Sequence, residues 1–285
     1  MKTPPMKVLA MKVLQVAALL LVAAPALPEP VAEHRSWTDT YDVSGGSPHL
    51  KVSNIWGSVQ VRAGEPGRIT VAVTELRSAP DSALFERSLE LIGLDIEANA
   101  SGVSIRVGNP IDRRDGIGDC RGCRVDYQFE IQAPADAVVD VGTVMDGKID
   151  IRGIAGPISA SNVNGPIDID GMQNCSAIDS VNGPVGIGFS ATPRQDCGIE
   201  TINGDVTFRV PADISMDIAF DLFNGEVSSE LPVDAFAPPA SVEQVAADGR
   251  TQYRIQQLAG LRIGAGGPVY TVGSVNGDLK IGKHQ

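Results

Sequence analysis

Four cysteines, three histidines and a short run of aspartates carry most of the reactive chemistry open to this chain. Cys120-Arg-Gly-Cys123 has the two-residue gap of a redox dithiol or of half a zinc site. The other pair, Cys175 and Cys197, makes no matching CxxC, and the surroundings of Cys120 lack the strand–helix–strand setting of thioredoxin-like motifs. A structural disulfide is the expected state of each pair, with redox or metal chemistry at Cys120 and Cys123 as the alternative. His34, His49 and His284 are too scattered to suggest a nucleophile–His pair or a His-rich metal site. Asp150, Asp168, Asp170 and Asp179 could meet on neighbouring strands, as carboxylates do in β-helix enzymes acting on acidic polysaccharides, or form a weak Ca²⁺ site. A solvated outer face is the commoner arrangement. Trp37, Trp56, Tyr41, Tyr253 and Tyr270 are the polar-tipped aromatics that could stack on sugars, and most are expected in core or cap. No catalytic, cofactor-binding or metal-binding residue is assigned, so the chain is read as not an enzyme and as needing no cofactor.

These residues sit on a framework that repeats. Residues 145–189 divide into five lines of nine, among them Val163-Asn-Gly-Pro-Ile-Asp-Ile-Asp-Gly171 and Val181-Asn-Gly-Pro-Val-Gly-Ile-Gly-Phe189. Each line is an apolar residue, a turn pair, then alternation, and a fixed period marks units that bury their apolar face only by stacking. Within a line, Ile167 and Ile169 alternate with Asp168 and Asp170, giving a strand of about five residues with one dry face. Asn164-Gly165 tolerates the bend and Pro166 fixes φ as the next strand begins. Turn glycines recur at Gly57, Gly147, Gly165, Gly183, Gly204, Gly225 and Gly277, spaced 18, 18, 21 and 21 between Gly147 and Gly225. The expected fold is all-β: a β-solenoid, a single-stranded β-helix-like stack of 18–21-residue coils, capped by an N-terminal β-hairpin and helix. A series of antiparallel hairpins is the alternative that Asn-Gly also favours. In the stack, Asn164, Asn182, Asn203 and Asn224 take one position of successive coils, as turn residues or as a hydrogen-bonded ladder. Ile149, Ile151, Ile158, Ile167, Ile169, Ile178, Val185, Ile187, Val206 and Phe208 are the expected interior.

The cysteine pairing follows from aligning two coils. Gln173-Asn-Cys-Ser-Ala-Ile-Asp-Ser-Val-Asn-Gly183 matches Gln195-Asp-Cys-Gly-Ile-Glu-Thr-Ile-Asn-Gly204 with one residue deleted. Cys175 and Cys197 thus share a place on adjacent coils, where strands about 4.8 Å apart allow a disulfide.

Residues 1–26 read as a signal peptide: Lys2, Lys7 and Lys12 precede the apolar run 13–24, and Ala24-Pro25-Ala26 offers a cleavage site. The run is short of the ~18 residues that spanning requires, so no transmembrane span is expected in the mature chain. The formal net charge is −12 before that segment is removed, which argues against nucleic acid and anionic membrane surfaces as partners. Residues 27–137 form a β-rich N-terminal part, in which Pro80-Asp81 opens the one expected helix, with Leu84, Phe85, Leu89 and Ile92 at helical spacing. Val125, Tyr127, Phe129 and Ile131 make the clearest half-buried strand. Residues 138–285 hold the repeats, interrupted by a loop insertion at about 231–250 that carries Pro232, Pro238 and Pro239.

Leu50-Lys-Val-Ser-Asn-Ile-Trp-Gly-Ser-Val-Gln-Val61, the single helix, the Val/Ile-Asn-Gly repeats and the ending Gly264-Ala-Gly-Gly-Pro-Val-Tyr-Thr-Val-Gly-Ser-Val-Asn-Gly-Asp-Leu-Lys-Ile281 together resemble a bacterial exported family. It is the β-strand-repeat domain of unknown function labelled "putative adhesin". The resemblance spans nearly all of the mature chain. It implies a β-solenoid-like fold at the cell envelope and supplies no catalytic residues, and the cysteine pairs are extras to it. The expected function is that of a non-catalytic, exported, periplasmic or cell-surface interaction or scaffold module. Its partner would be an unidentified envelope protein or polysaccharide, and the alternative is a polysaccharide-binding or polysaccharide-processing β-helix protein.

Overall fold

The computed structural model describes residues 30–108, 120–247, 250–256 and 258–284, so the expected signal peptide lies outside the described residues. From residue 138 the chain passes back and forth between two large sheets. Strands β8 (Val138–Thr143), β10 (Pro157–Asn164), β12 (Asn174–Asn182) and β14 (Cys197–Asn203) lie parallel and adjacent in one of them. Strands β9 (Ile149–Arg152), β11 (Ile167–Met172), β13 (Val185–Phe189) and β15 (Val206–Val210) do the same in the other. Each strand therefore pairs with the equivalent strand of the next repeat. Ile149, Ile167, Val185 and Val206 share one register row, and Ile151, Ile169, Ile187 and Phe208 share another. All ten residues expected inside are at most 1% exposed. Burying one such side chain contributes about 1.5–3 kcal/mol, so the rows of the repeat supply much of the stability.

The order of the repeats in space departs from their order in sequence. Strand β22 (Val269–Asn276) lies between β14 and β16 (Met216–Asn224), and β23 (Leu279–Lys283) lies between β15 and β17 (Val227–Ser229). The C-terminal unit thus separates two units that adjoin in sequence. A core of Phe189, Phe208 and Tyr270, with ring centroids 5.2–6.2 Å apart and edge-on, marks this insertion.

Both sheets also extend toward the N-terminus without a break at residue 137. Strand β2 (His49–Ser53) pairs with β8, and β3 (Val59–Ala63) pairs with β9. Beyond β3 come the antiparallel strands β7 (Arg124–Ala133), β4 (Arg68–Ala79) and β1 (Val31–Asp42). The hairpin of β5 (Leu94–Asn99) and β6 (Gly102–Val107) forms one end of the eleven-stranded sheet, where β6 pairs in parallel with β2. The architecture is all-β with two large mixed sheets of ten and eleven strands.

Helix α1 (Ser82–Leu91) starts where Asp81 accepts a 2.8 Å hydrogen bond from the Leu84 N–H. It buries Phe85, Ser88 and Leu91, whereas Leu89, expected on the apolar face, is exposed. Ser88 is inside because Arg77, only 4% exposed, donates to the Ser88 carbonyl at 2.6 Å and to the Ile92 carbonyl at 2.8 Å. A guanidinium so placed adds a second donor to the Ser88 carbonyl, which also accepts from the Ile92 N–H at 3.0 Å, and complements the helix dipole. Its charge is balanced by Glu75 at 2.6 Å.

The span 231–250, expected as a loop, holds strands of its own. Strand β18 (Asp234–Phe236) pairs antiparallel with β21 (Ala259–Ile263), which pairs with β16. Arg262 fastens this extension by gripping Asp217 with two bonds of 2.7 and 2.8 Å and stacking over Phe236. Among the described residues, strands β19 (Ser241–Ala247) and β20 (Arg250–Gln256) pair only with each other.

Candidate functional site

The seven turn glycines singled out in the sequence form one column. A Cβ on Gly147 would lie 2.1 Å from the Gly57 carbonyl oxygen, and on Gly165 it would lie 2.0 Å from that of Gly147. The same relation carries on through Gly183, Gly204, Gly277 and Gly225, each against the oxygen of the glycine before it, at 2.0–2.2 Å. Gly277 intervenes between Gly204 and Gly225, which the equal spacing of 21 residues did not anticipate. Beside the column runs a chain of side-chain amides. Asn224 donates to Asn276 (3.0 Å), Asn276 to Asn203 (2.9 Å), Asn203 to Asn182 (2.8 Å) and Asn182 to Asn164 (3.0 Å). Asn276 is the member that sequence spacing missed.

On the outer surface of the ten-stranded sheet, alternation places the charged residues of β9, β11 and β15 in adjoining rows. Asp150 is 6% exposed and is held by Arg62, by Lys148 at 2.8 Å and by Arg152 at 3.0 Å. Arg152 also reaches Asp168 at 2.9 Å and Asp170 at 3.4 Å, while Arg209 crosses from β15 to Asp168 at 2.8 Å. That crossing passes over β13, where Gly186 and Gly188 leave the space: a Cβ on Gly186 would lie 2.9 Å from the Arg209 guanidinium. Burial pushes the Asp150 carboxyl up, but hydrogen bonds from Lys148, Arg62 and Arg152 outweigh it and bring its pKa down to about 2. Arg152, Asp168, Asp170, Arg209, Lys283 and His284 line a depression of about 330 Å³ in this face.

The four aspartates do not share a cation site. The oxygens of Asp150, Asp168 and Asp170 are engaged by Arg and Lys, and Asp179 lies on the other sheet. Among the described residues no group of three or more His, Cys, Asp or Glu is placed to hold a metal ion. Asp179 instead neighbours Glu200 in a row that continues over Gly273 to Asp221. Burial, then the charges of Asp179 and Asp221, push the Glu200 carboxyl up from its ordinary value. Beside this acidic row Val163, Ile202, Val275 and Phe223 are exposed.

Cys120 is bonded to Cys123 and Cys175 to Cys197, with Cα separations of 5.5 and 5.4 Å. The extra residue of the first aligned coil is a bulge at Ser176, which keeps Cys175 in step with Ile158. His34, His49 and His284 are exposed and far apart in the fold, and only His284 approaches the charged face, 3.2 Å from Asp170. Trp37, Trp56 and Tyr41 are half-buried and Tyr270 is fully buried, while the side chain of Tyr253 lies outside the described residues.

The chain matches no known protein-family profile, and no curated protein matches it. It is similar to a solved structure described as a "putative cell adhesion protein" from Clostridium sporogenes, at 11% identity and a TM-score of 0.44, covering 87% of this chain and 100% of that one. A "putative adhesin" from Bacteroides fragilis is similar at 12% identity and a TM-score of 0.33, over 87% and 97% of the two chains. A "putative lipid binding protein" from Parabacteroides distasonis is similar at 11% identity and a TM-score of 0.30, over 86% and 96%. No helix among the described residues is long and apolar enough to cross a membrane.

Proposed function

We propose that this chain is a non-catalytic, exported module of the cell envelope, built as a β-solenoid and acting by adhesin-like binding or as a scaffold. Support for the solenoid comes from the parallel pairing of each repeat strand with its equivalent in the neighbouring unit and from the unbroken glycine column. The observation that carries the binding role is the charged face of the ten-stranded sheet. Its aspartates are each gripped by cations at fixed register, an arrangement that presents a rigid pattern of charge to a partner. The partner is an envelope protein or a polysaccharide, and the depression lined by Arg209 and Lys283 favours an acidic polysaccharide in the second case. The test is retention of envelope proteins and of acidic and neutral polysaccharides on the immobilised chain, with and without Arg209→Glu and Lys283→Glu. Retention that falls with added salt and with these substitutions supports a binding face. Release of new reducing ends from a polysaccharide would overturn the non-catalytic assignment.

A further inference from the structure

The two large sheets have four edges, and three are short: β17 and β18 are three residues each and β5 is six. The fourth, β1, runs for twelve residues with no proline and no bulge, pairs among the described residues only with β4, and exposes most of its side chains. Long unprotected edges are unusual, because the free row of N–H and C=O groups is a template for another strand. The phase of the ladder is set by the Val43 N–H, which donates to the Gly67 carbonyl at 2.9 Å next to the pair Asp42–Arg68. In an antiparallel ladder this directs the odd-numbered residues of β1 toward β4. Ala32, His34, Ser36, Thr38, Thr40 and Asp42 therefore aim their backbone groups outward, where no backbone partner meets them among the described residues.

We propose that this edge is a homodimer interface, in which β1 of a second copy pairs antiparallel with it about a two-fold axis at Trp37 and joins the two ten-stranded sheets. Outward-facing groups must meet outward-facing groups, so only registers that pair residues of equal parity are open. Centring on Trp37 sets Arg35 of each copy against Asp39 of the other, Ser36 against Thr38 and His34 against Thr40, with no like charges opposed. Centring on Ser36 sets Glu33 against Asp39, and centring on Arg35 sets that arginine against itself. Moving the centre to Thr38 leaves Arg35 and Asp39 without each other, and moving it to His34 shortens the ladder by about a third. Asp39 has no ion-pair partner among the described residues, and this register brings it Arg35, which holds Glu33 of its own strand at 2.9 Å and would bridge the two carboxylates. Trp37 meets its equivalent at a position without hydrogen bonds, where opposing side chains come closest. It is half-buried and already packed on the core, so the aromatic pair costs little ordering. The strand is thus complementary in charge to itself, which selects a second copy over an unrelated strand.

Light scattering after size exclusion should give twice the mass of the chain. Thr38→Pro deletes an outward N–H without touching the β4 ladder, so the mass should fall twofold while the melting temperature at limiting dilution stays the same. Arg35→Cys mixed with Asp39→Cys should form a disulfide-linked dimer, whereas neither variant should do so alone. A single-chain mass at every concentration overturns the proposal, as does crosslinking of Arg35→Cys with itself. So does a monomer that recovers a strand of another protein along this edge.

Discussion

Whether successive turns can stack is decided by single hydrogens. At Gly165 and Gly183 φ is 152° and 156°, and a Cβ would lie 2.0 and 2.2 Å from the carbonyl oxygen of the preceding turn. Gly165→Ala is expected to cost roughly 2–4 kcal/mol by combining backbone strain with a clash against main chain. Gly198→Ala meets nothing within 4 Å, so it should be nearly neutral, and equal urea midpoints for the two variants would refute the column as a constraint. Asn-Gly in the sequence located these turns, but the strand glycines were not legible. The empty positions of Gly186 and Gly188 admit Arg209 to Asp168, a pair 41 residues apart that no local pattern announces. The same face gives a pH dependence. Asp150 drops from an ordinary 3.8 to about 2, worth roughly 2 kcal/mol, and a depressed carboxyl pKa stabilises the fold above pH 4 and loses that contribution as pH falls to 2. Asp150→Asn should therefore lower stability at pH 7 and match the parent chain near pH 2. A difference that stays constant with pH would assign the effect to packing instead.

Alternation at the scale of a strand was readable because each repeat strand has one wet and one dry face. Ile167, between Ile149 and Val185 in its register row, is 1% exposed. Ile167→Asp should cost about 4 kcal/mol or more, since a carboxylate there has no partner, and an unchanged melting temperature would contradict the inward row. Helix α1 was readable from its Asp81 cap and its spacing, yet the burial of Ser88 was not, because it depends on Arg77 reaching over from β4. The cysteines were legible through the alignment of two coils, once a bulge absorbed the extra residue. Closing a ring of about 23 residues should stabilise by roughly 3 kcal/mol, so Cys175→Ser with Cys197→Ser should lower the denaturation midpoint while leaving the strand content intact. Peptide mapping without reductant should recover a Cys175–Cys197 link, and any cross-pairing with Cys120 or Cys123 would contradict the register of β12 and β14.

Identical turns cannot order themselves, and this is why the arrangement of the whole molecule was only partly legible. Asn203 and Asn224 are spaced as neighbours, but the unit carrying Asn276 has the same turn chemistry and takes the place between them. The two sheets consequently cannot be completed until residues 269–283 have joined them, a non-local step of the kind that slows folding. The prolines between 231 and 250 marked a departure from the repeat, but not the strands within it. Their pairing divides that departure into two parts of different importance. Strands β18 and β21 belong to the eleven-stranded sheet and are tied to it through Arg262 and Asp217. Strands β19 and β20 form a sheet of their own, and they leave from and return to a place where Phe236 already stands opposite Gly260. The ends of this arm are thus brought together by β18 and β21, and a few residues can bridge them at little entropic cost. Replacing residues 239–257 by a short Gly-Ser linker should leave the melting temperature within a few degrees of the parent chain, with the Asp217–Arg262 pair intact. Loss of cooperative unfolding in that deletion would mean that the arm supports the stack, contrary to its pairing.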